Sequence, residues 1–101
     1  MIIISRQILK EFIQIHPEAK TSVDRWFNLT RDADWSTFES MRSTFNSVDA
    51  VGNDRYVFNI GGNNWRLVAL IIFKVRTLFI LFIGSHADYD RIVASTITFK
   101  K

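Results

Sequence analysis

The sequence predicts an α+β fold: one short strand, then helices, then an antiparallel meander of strands. Three observations lead there. Apolar residues recur at helical spacing over residues 8–45. From residue 55 the pattern changes to short apolar runs separated by turn residues. The chain has 101 residues, room for one small domain but not two. A single domain over residues 1–101 is therefore expected.

The elements follow in order. "MIII" reads as a short first strand, and Ser5 offers an N-cap for the helix after it. Ile8, Leu9, Phe12 and Ile13 then line one helical face. His16-Pro17 ends that helix, because a residue before proline is pushed out of the α region. Pro17 also suits the start of a second helix, with Ala19, Val23, Trp26, Phe27 and Thr30 on its inner face. "WSTFESMRSTF" predicts a third, shorter helix, in which Ser36 and Glu39 have capping-box spacing. Residues 46–54 read as a loop. "RYVFNI", "WRLVALIIF" and "TLFILFIG" are three strands, with "GGNN" and "KVR" as the turns between them. Ser85 is then an N-cap for a final helical turn, with Asp88 three residues on.

Turn positions predict a register. Gly62 and Asn63 as central turn residues put Asn59 opposite Arg66. Val75 and Arg76 as the next turn put Arg66 opposite Ser85 and Leu70 opposite Leu81. Asn59, Arg66 and the start of "SHADYD" then gather at one edge, with Leu81 on the face of Arg66. A slip of one residue would move every side chain to the other face.

Composition excludes several classes. There are no cysteines, hence no disulfide framework, cysteine nucleophile or thiolate metal site. Two histidines far apart in sequence make no transition-metal site; neither a metal nor a cofactor is expected. The N-terminus lacks the apolar stretch of a signal peptide. Lys74 and Arg76 interrupt the apolar run 67–83, which is short of the roughly 20 uncharged residues a membrane helix needs. A cytoplasmic protein is the expectation. A net charge of +3 favours anionic partners such as RNA.

The chemistry-bearing residues each have two readings. Arg66 stands in an otherwise apolar strand. It either pairs with Asp88 or Asp90, or clamps a phosphate with its planar fork. His86 either caps a helix or exchanges protons, the task to which histidine is best suited near neutrality. Tyr89, one helical turn on, either anchors its ring in the core or takes part in the reaction. Arg55, Asn59, Lys74 and Arg76 are expected RNA contacts, although basic residues in turns are ordinarily just solvated. Trp35 and Trp65 either stack on bases or pack in the core. His16, beside Pro17, is given no function.

Several stretches in order resemble one family. "MIIISRQILKEFIQIHPEAKTSVDRWF", "ADW", "VGNDRYVFNIGGNNWRLVALIIF" and "FIGSHADYDRI" look like the blocks of the HigB toxins of bacterial toxin–antitoxin systems. The resemblance runs from residue 1 to about residue 93. It implies a RelE-like fold, with helices packed on a small twisted antiparallel sheet. It implies an endoribonuclease cleaving mRNA, usually on the translating ribosome, and neutralised by a HigA-type antitoxin. It implies catalytic roles for Arg66, His86 and Tyr89. Asn59 stands where RelE-type toxins often carry lysine. "FILFIGSH" departs from the "FIRFVGTH" common among relatives, so Leu81 replaces an arginine that would lean towards the phosphate path. Two other classes remain open: a RelE-like toxin that poisons DNA gyrase without cutting RNA, and a non-catalytic RNA-binding module.

Overall fold

The computed structural model describes residues 1–98. The elements run β1 (Ile2–Ile4), α1 (Gln7–Ile15), α2 (Lys20–Asp32), α3 (Phe38–Thr44), β2 (Val48–Gly52), β3 (Arg55–Ile60), β4 (Trp65–Ile72), β5 (Thr77–Ser85) and α4 (His86–Asp90). Pro17 opens a 3-10 turn over Pro17–Ala19 that leads straight into α2. The order matches the α+β expectation.

The five strands form one sheet in the order β1-β5-β4-β3-β2. β2 to β5 are antiparallel neighbours, whereas β1 runs parallel to β5, with Ile2 beside Thr77. The sheet is therefore mixed rather than wholly antiparallel. A parallel pair needs a long crossover, and the intervening helices and strands supply it.

One sheet face carries the main core. Phe58, Leu67, Ala69, Ile71, Leu78 and Ile80 meet Leu9 and Phe12 of α1, Val23 and Trp26 of α2, and Met41 of α3. The other face has a smaller cluster. There Val57 and Val68 are covered by Ala94, with Phe82, Tyr89, Ile92 and Ile97 packed around them. The alternation of "ASTITFKK" suits an added strand or a loose tail, but through residue 97 the segment after α4 is neither. It turns back over the second face, with the Thr96 and Ile97 amides donating to the Val93 carbonyl. Residues 99–101 of the tail lie outside the described residues.

Four local expectations need correction. Ser5 does not cap α1: it has φ +74°, Arg6 precedes the first helical residue, and no side chain caps there. α3 is capped by Thr37, not Ser36; the Ser40 amide donates to Thr37 Oγ1 at 3.1 Å, and Ser40 Oγ accepts from the Thr37 amide at 3.1 Å. Serine at the third position does the work that the sequence rule reserves for glutamate or glutamine. Part of the supposed loop 46–54 is strand β2, joined to β3 by Asn53 and Asp54, both at positive φ. Two consecutive positive-φ residues match the twist of a hairpin. Asp49, Ala50 and Gly52 have low strand propensity, which hid the element.

The fourth correction concerns register. Asn59 does face Arg66. Between β4 and β5, however, the connection is a four-residue turn, Phe73 to Arg76, with Arg76 left-handed. Arg66 consequently lies opposite Gly84 rather than Ser85, and Leu70 opposite Phe79 rather than Leu81. The register shifts again opposite Val68 and Ala69, so Leu81 is the unpaired bulge residue and is only 8% exposed.

Candidate active site

The site is assembled at the rim where β4 starts and β5 ends. The β3–β4 turn holds Gly61, Gly62 and Asn63, all at positive φ. Asn63 is among the residues that tolerate this conformation best. Its side-chain Oδ1 accepts from Arg66 Nη1 at 2.8 Å. Its backbone carbonyl meets His86 Nε2. A carbonyl can only accept, so Nε2 carries the proton in this contact, and in the neutral ring Nδ1 is the acceptor. One turn residue thus orients both the arginine and the histidine. Sequence reading treated Asn63 as turn chemistry alone. The usable signal was an asparagine three residues before an isolated strand arginine.

Arg66 has no carboxylate partner among the described residues, so the pairing with Asp88 or Asp90 is not made. Asp88 is engaged in the α4 cap: its amide donates to Ser85 Oγ at 3.2 Å, and its Oδ2 accepts from the Ser85 amide at 3.4 Å. Ser85 is the N-cap, as expected. Gly84 is needed beside it. A Cβ there would lie 2.7 Å from Phe82 Cζ and 3.0 Å from Asp88 Cβ. Its bare backbone lets α4 close over the end of β5, opposite Arg66.

Tyr89 packs against the second-face cluster of Val57, Val68 and Ala94. Val68 lies two residues along β4 from Arg66, on the same face. The ring is therefore anchored, as the amphipathic reading held, in a cluster on the sheet face that carries Arg66. Asn59 lies directly opposite Arg66 and donates from Nδ2 to Ser47 Oγ.

The structure does not bring the other expected RNA contacts to this rim. Arg55 pairs with Leu70, four positions or about 13 Å along β4 from Arg66. Its guanidinium donates to backbone carbonyls of Asn53 and Ile97. Lys74 and Arg76 sit at the opposite end of the sheet, and Arg76 Nε donates to Asp34 Oδ1 at 2.8 Å. Trp65 packs edge-on against Phe12 and beside His16, with centroids 5.1 and 5.0 Å away. Trp35 is buried and donates from Nε1 to Thr44 Oγ1 at 3.1 Å. Both tryptophans serve packing. His16 does too, with Nδ1 3.5 Å from Glu18. Among the described residues, no three histidine, aspartate or glutamate side chains gather as a metal cluster would require. No helix of these residues is long and apolar enough to cross a membrane.

The sequence of this fold matches a known family model over residues 19–92, described as HigB toxin, the RelE-like toxic component of a toxin–antitoxin system. The chain belongs to the HigB toxin family. Two relatives agree along nearly the whole length. The mRNA interferase HigB of Escherichia coli O6:H1 is 33% identical over 94 residues, covering 91% of each chain. The mRNA interferase toxin HigB of Escherichia coli K12 is 30% identical over 92 residues, covering 89% of this chain and 88% of the relative. As a HigB-family toxin, the protein has a cognate antitoxin as its expected partner, and its mixed sheet with α1, α2 and α3 packed on one face is compatible with a RelE-like fold.

Proposed function

We propose that this HigB-family chain is an endoribonuclease toxin that cleaves mRNA on the translating ribosome without a metal ion, and that a HigA-type antitoxin neutralises it. The observation that carries the reading is Arg66, without a carboxylate partner among the described residues and held by the same Asn63 that holds His86. RNA brings its own nucleophile. The 2′-OH attacks the adjacent phosphorus in line, and the bond to the 5′-oxygen breaks. The 2′-proton passes to a base, an acid protonates the leaving 5′-oxygen, and a 2′,3′-cyclic phosphate remains.

The side chains match these needs. Arg66 faces the non-bridging oxygens, whose charge grows as the phosphorane-like transition state forms. His86 exchanges one proton, either through Nδ1 or by trading its Asn63 contact for the substrate. Tyr89 orients the phosphate or carries the second proton. Asn59 lies beside Arg66 along the RNA path. Lys74, at the far end, is a backbone contact for RNA extending beyond the cut. The mRNA relatives' names support the substrate class.

The test is induction of the chain in bacteria without antitoxin, followed by primer extension and analysis of transcript ends. Growth arrest with cuts inside reading frames and 2′,3′-cyclic or 3′-phosphate ends is expected. His86→Ala should remove cleavage by a factor of 10² to 10⁴, the usual scale of general acid–base assistance. Growth arrest with intact transcripts would replace this reading with gyrase poisoning, and 3′-hydroxyl ends would contradict 2′-OH attack.

A further inference from the structure

We infer that Arg55 and Asn53 form a clip on the C-terminal segment that positions Tyr89, and that Arg55 is therefore a positioning residue rather than an RNA contact. The inference rests on the reading of Tyr89 as part of the cleavage site.

Two side chains of the β2–β3 hairpin hold the carbonyls of the segment after α4. Asn53 Nδ2 donates to the Ser95 carbonyl at 2.8 Å. Arg55 Nε and Nη2 both donate to the Ile97 carbonyl, at 3.0 and 2.8 Å. The third guanidinium nitrogen, Nη1, donates to the Asn53 carbonyl at 2.8 Å, tying the two clip residues together. Each nitrogen of the fork donates to backbone, which engages three of its five N–H groups inside the protein.

The segment needs such a clip. α4 has five residues, far below the length at which a helix is stable in isolation. Its N-terminal end is fastened by the Ser85–Asp88 capping box and by the His86 contact to Asn63. Its C-terminal end runs into Ile92, Ala94 and Ile97, which share one cluster with Tyr89 over Val57 and Val68. The clip closes that cluster from the hairpin side. Tyr89 is thus held between a capped helix start and a clipped tail. Release of the tail would free the ring from its own flank while Arg66 and His86 stay in place. A displacement near 1 Å at a reacting group costs on the order of 10²-fold in rate.

Arg55→Ala, Arg55→Lys and Asn53→Ala, each in the full chain, decide the matter through three readouts. Amide exchange at Thr96 and Ile97, whose bonds to the Val93 carbonyl lie inside the clipped segment, should speed up in both alanine variants. The Tyr89 ring signals in NMR should shift or broaden in both, while those of Tyr56 stay unchanged. Cleavage in a translation extract should lose roughly tenfold or more in kcat with little change in KM, and Arg55→Lys, which keeps a single donor nitrogen in place of three, should recover part of it. In a Tyr89→Phe background, Arg55→Ala should add no further loss.

A phosphate contact behaves differently. It would raise KM and lower the salt slope of single-stranded RNA binding by about 0.7, with kcat and the Tyr89 signals unmoved; that outcome overturns the clip. Full additivity with Tyr89→Phe overturns it too. A parent protein that cleaves no RNA would defeat the functional reading instead, while exchange and the Tyr89 signals still report whether the clip holds the ring.

Discussion

Leu81→Arg puts into this chain the arginine that the family resemblance leads one to expect in the same block. On the register expected from turn spacing, the new cation would lie over the RNA path and raise activity. The structure predicts the opposite. Leu81 is the bulge residue of β5 and is 8% exposed. Removing a buried leucine forfeits about 1.5–3 kcal/mol of apolar burial. Leaving a charge unpaired in its place adds a cost of about 3–5 kcal/mol, from which snorkelling of the long side chain recovers part. A net loss of about 3–5 kcal/mol is expected. That is a large share of the roughly 5–15 kcal/mol that stabilises a domain of this size. At about 4–8 °C per kcal/mol, melting should fall by at least about 12 °C. Thermal unfolding followed by circular dichroism, with cleavage measured on the same preparation, provides the assay. A variant melting within about 4 °C of the parent and cutting faster would show that residue 81 faces the RNA and that the bulge assignment is wrong.

Three further outcomes follow from particular contacts. Asn63→Gly keeps the positive φ but removes the Oδ1 that orients Arg66, so cleavage should fall while melting changes little; unaltered cleavage would remove Asn63 from the site. Gly84→Ala places a methyl 2.7 Å from Phe82 Cζ and 3.0 Å from Asp88 Cβ, so the Phe82 ring and α4 must both give, and activity should drop more sharply than the roughly 1–3 kcal/mol typical of overpacking would explain; kinetics alongside urea melts separate the two effects. Tyr56 is held above its ordinary pKa of 10.0 by burial first and by the Asp54 charge second. The folded state therefore keeps that proton longer than the unfolded chain does, so the contribution is intact below about pH 10 and is lost as pH rises through the higher folded value. Tyr56→Phe should flatten this alkaline loss, read as urea midpoints across pH 9 to 11.5.

Much of the path to the site was legible from local chemistry. Helical spacing located α1 and α2, because a stripe of Leu9, Phe12, Val23 and Trp26 has to be buried whatever covers it. The GGNN turn fixed the β3–β4 register, since Gly61 and Gly62 accept the left-handed conformations a tight connection requires. Asn59 was therefore correctly set against Arg66. The Ser85–Asp88 box was also readable, because both partners lie within one turn of chain.

What sequence could not decide depended on contacts between distant segments. A four-residue turn and a bulge moved β5 by one pair at the rim and by two at the far end; no local preference counts turn residues that reliably. Arg66 was equally compatible with an aspartate partner, and only the fold showed that Asp88 is spent on its own helix cap. Arg55 and Arg76 look like free cations in a linear chain. Folding brings the Ile97 carbonyl to one and Asp34 to the other, each across 42 positions of sequence. The sequence by itself determined which residue types could bind a phosphate and move a proton, because that is set by side-chain chemistry. The tertiary structure decided which of those cations was left without a carboxylate partner among the described residues, because pairing is settled by whatever the completed fold places within hydrogen-bonding distance.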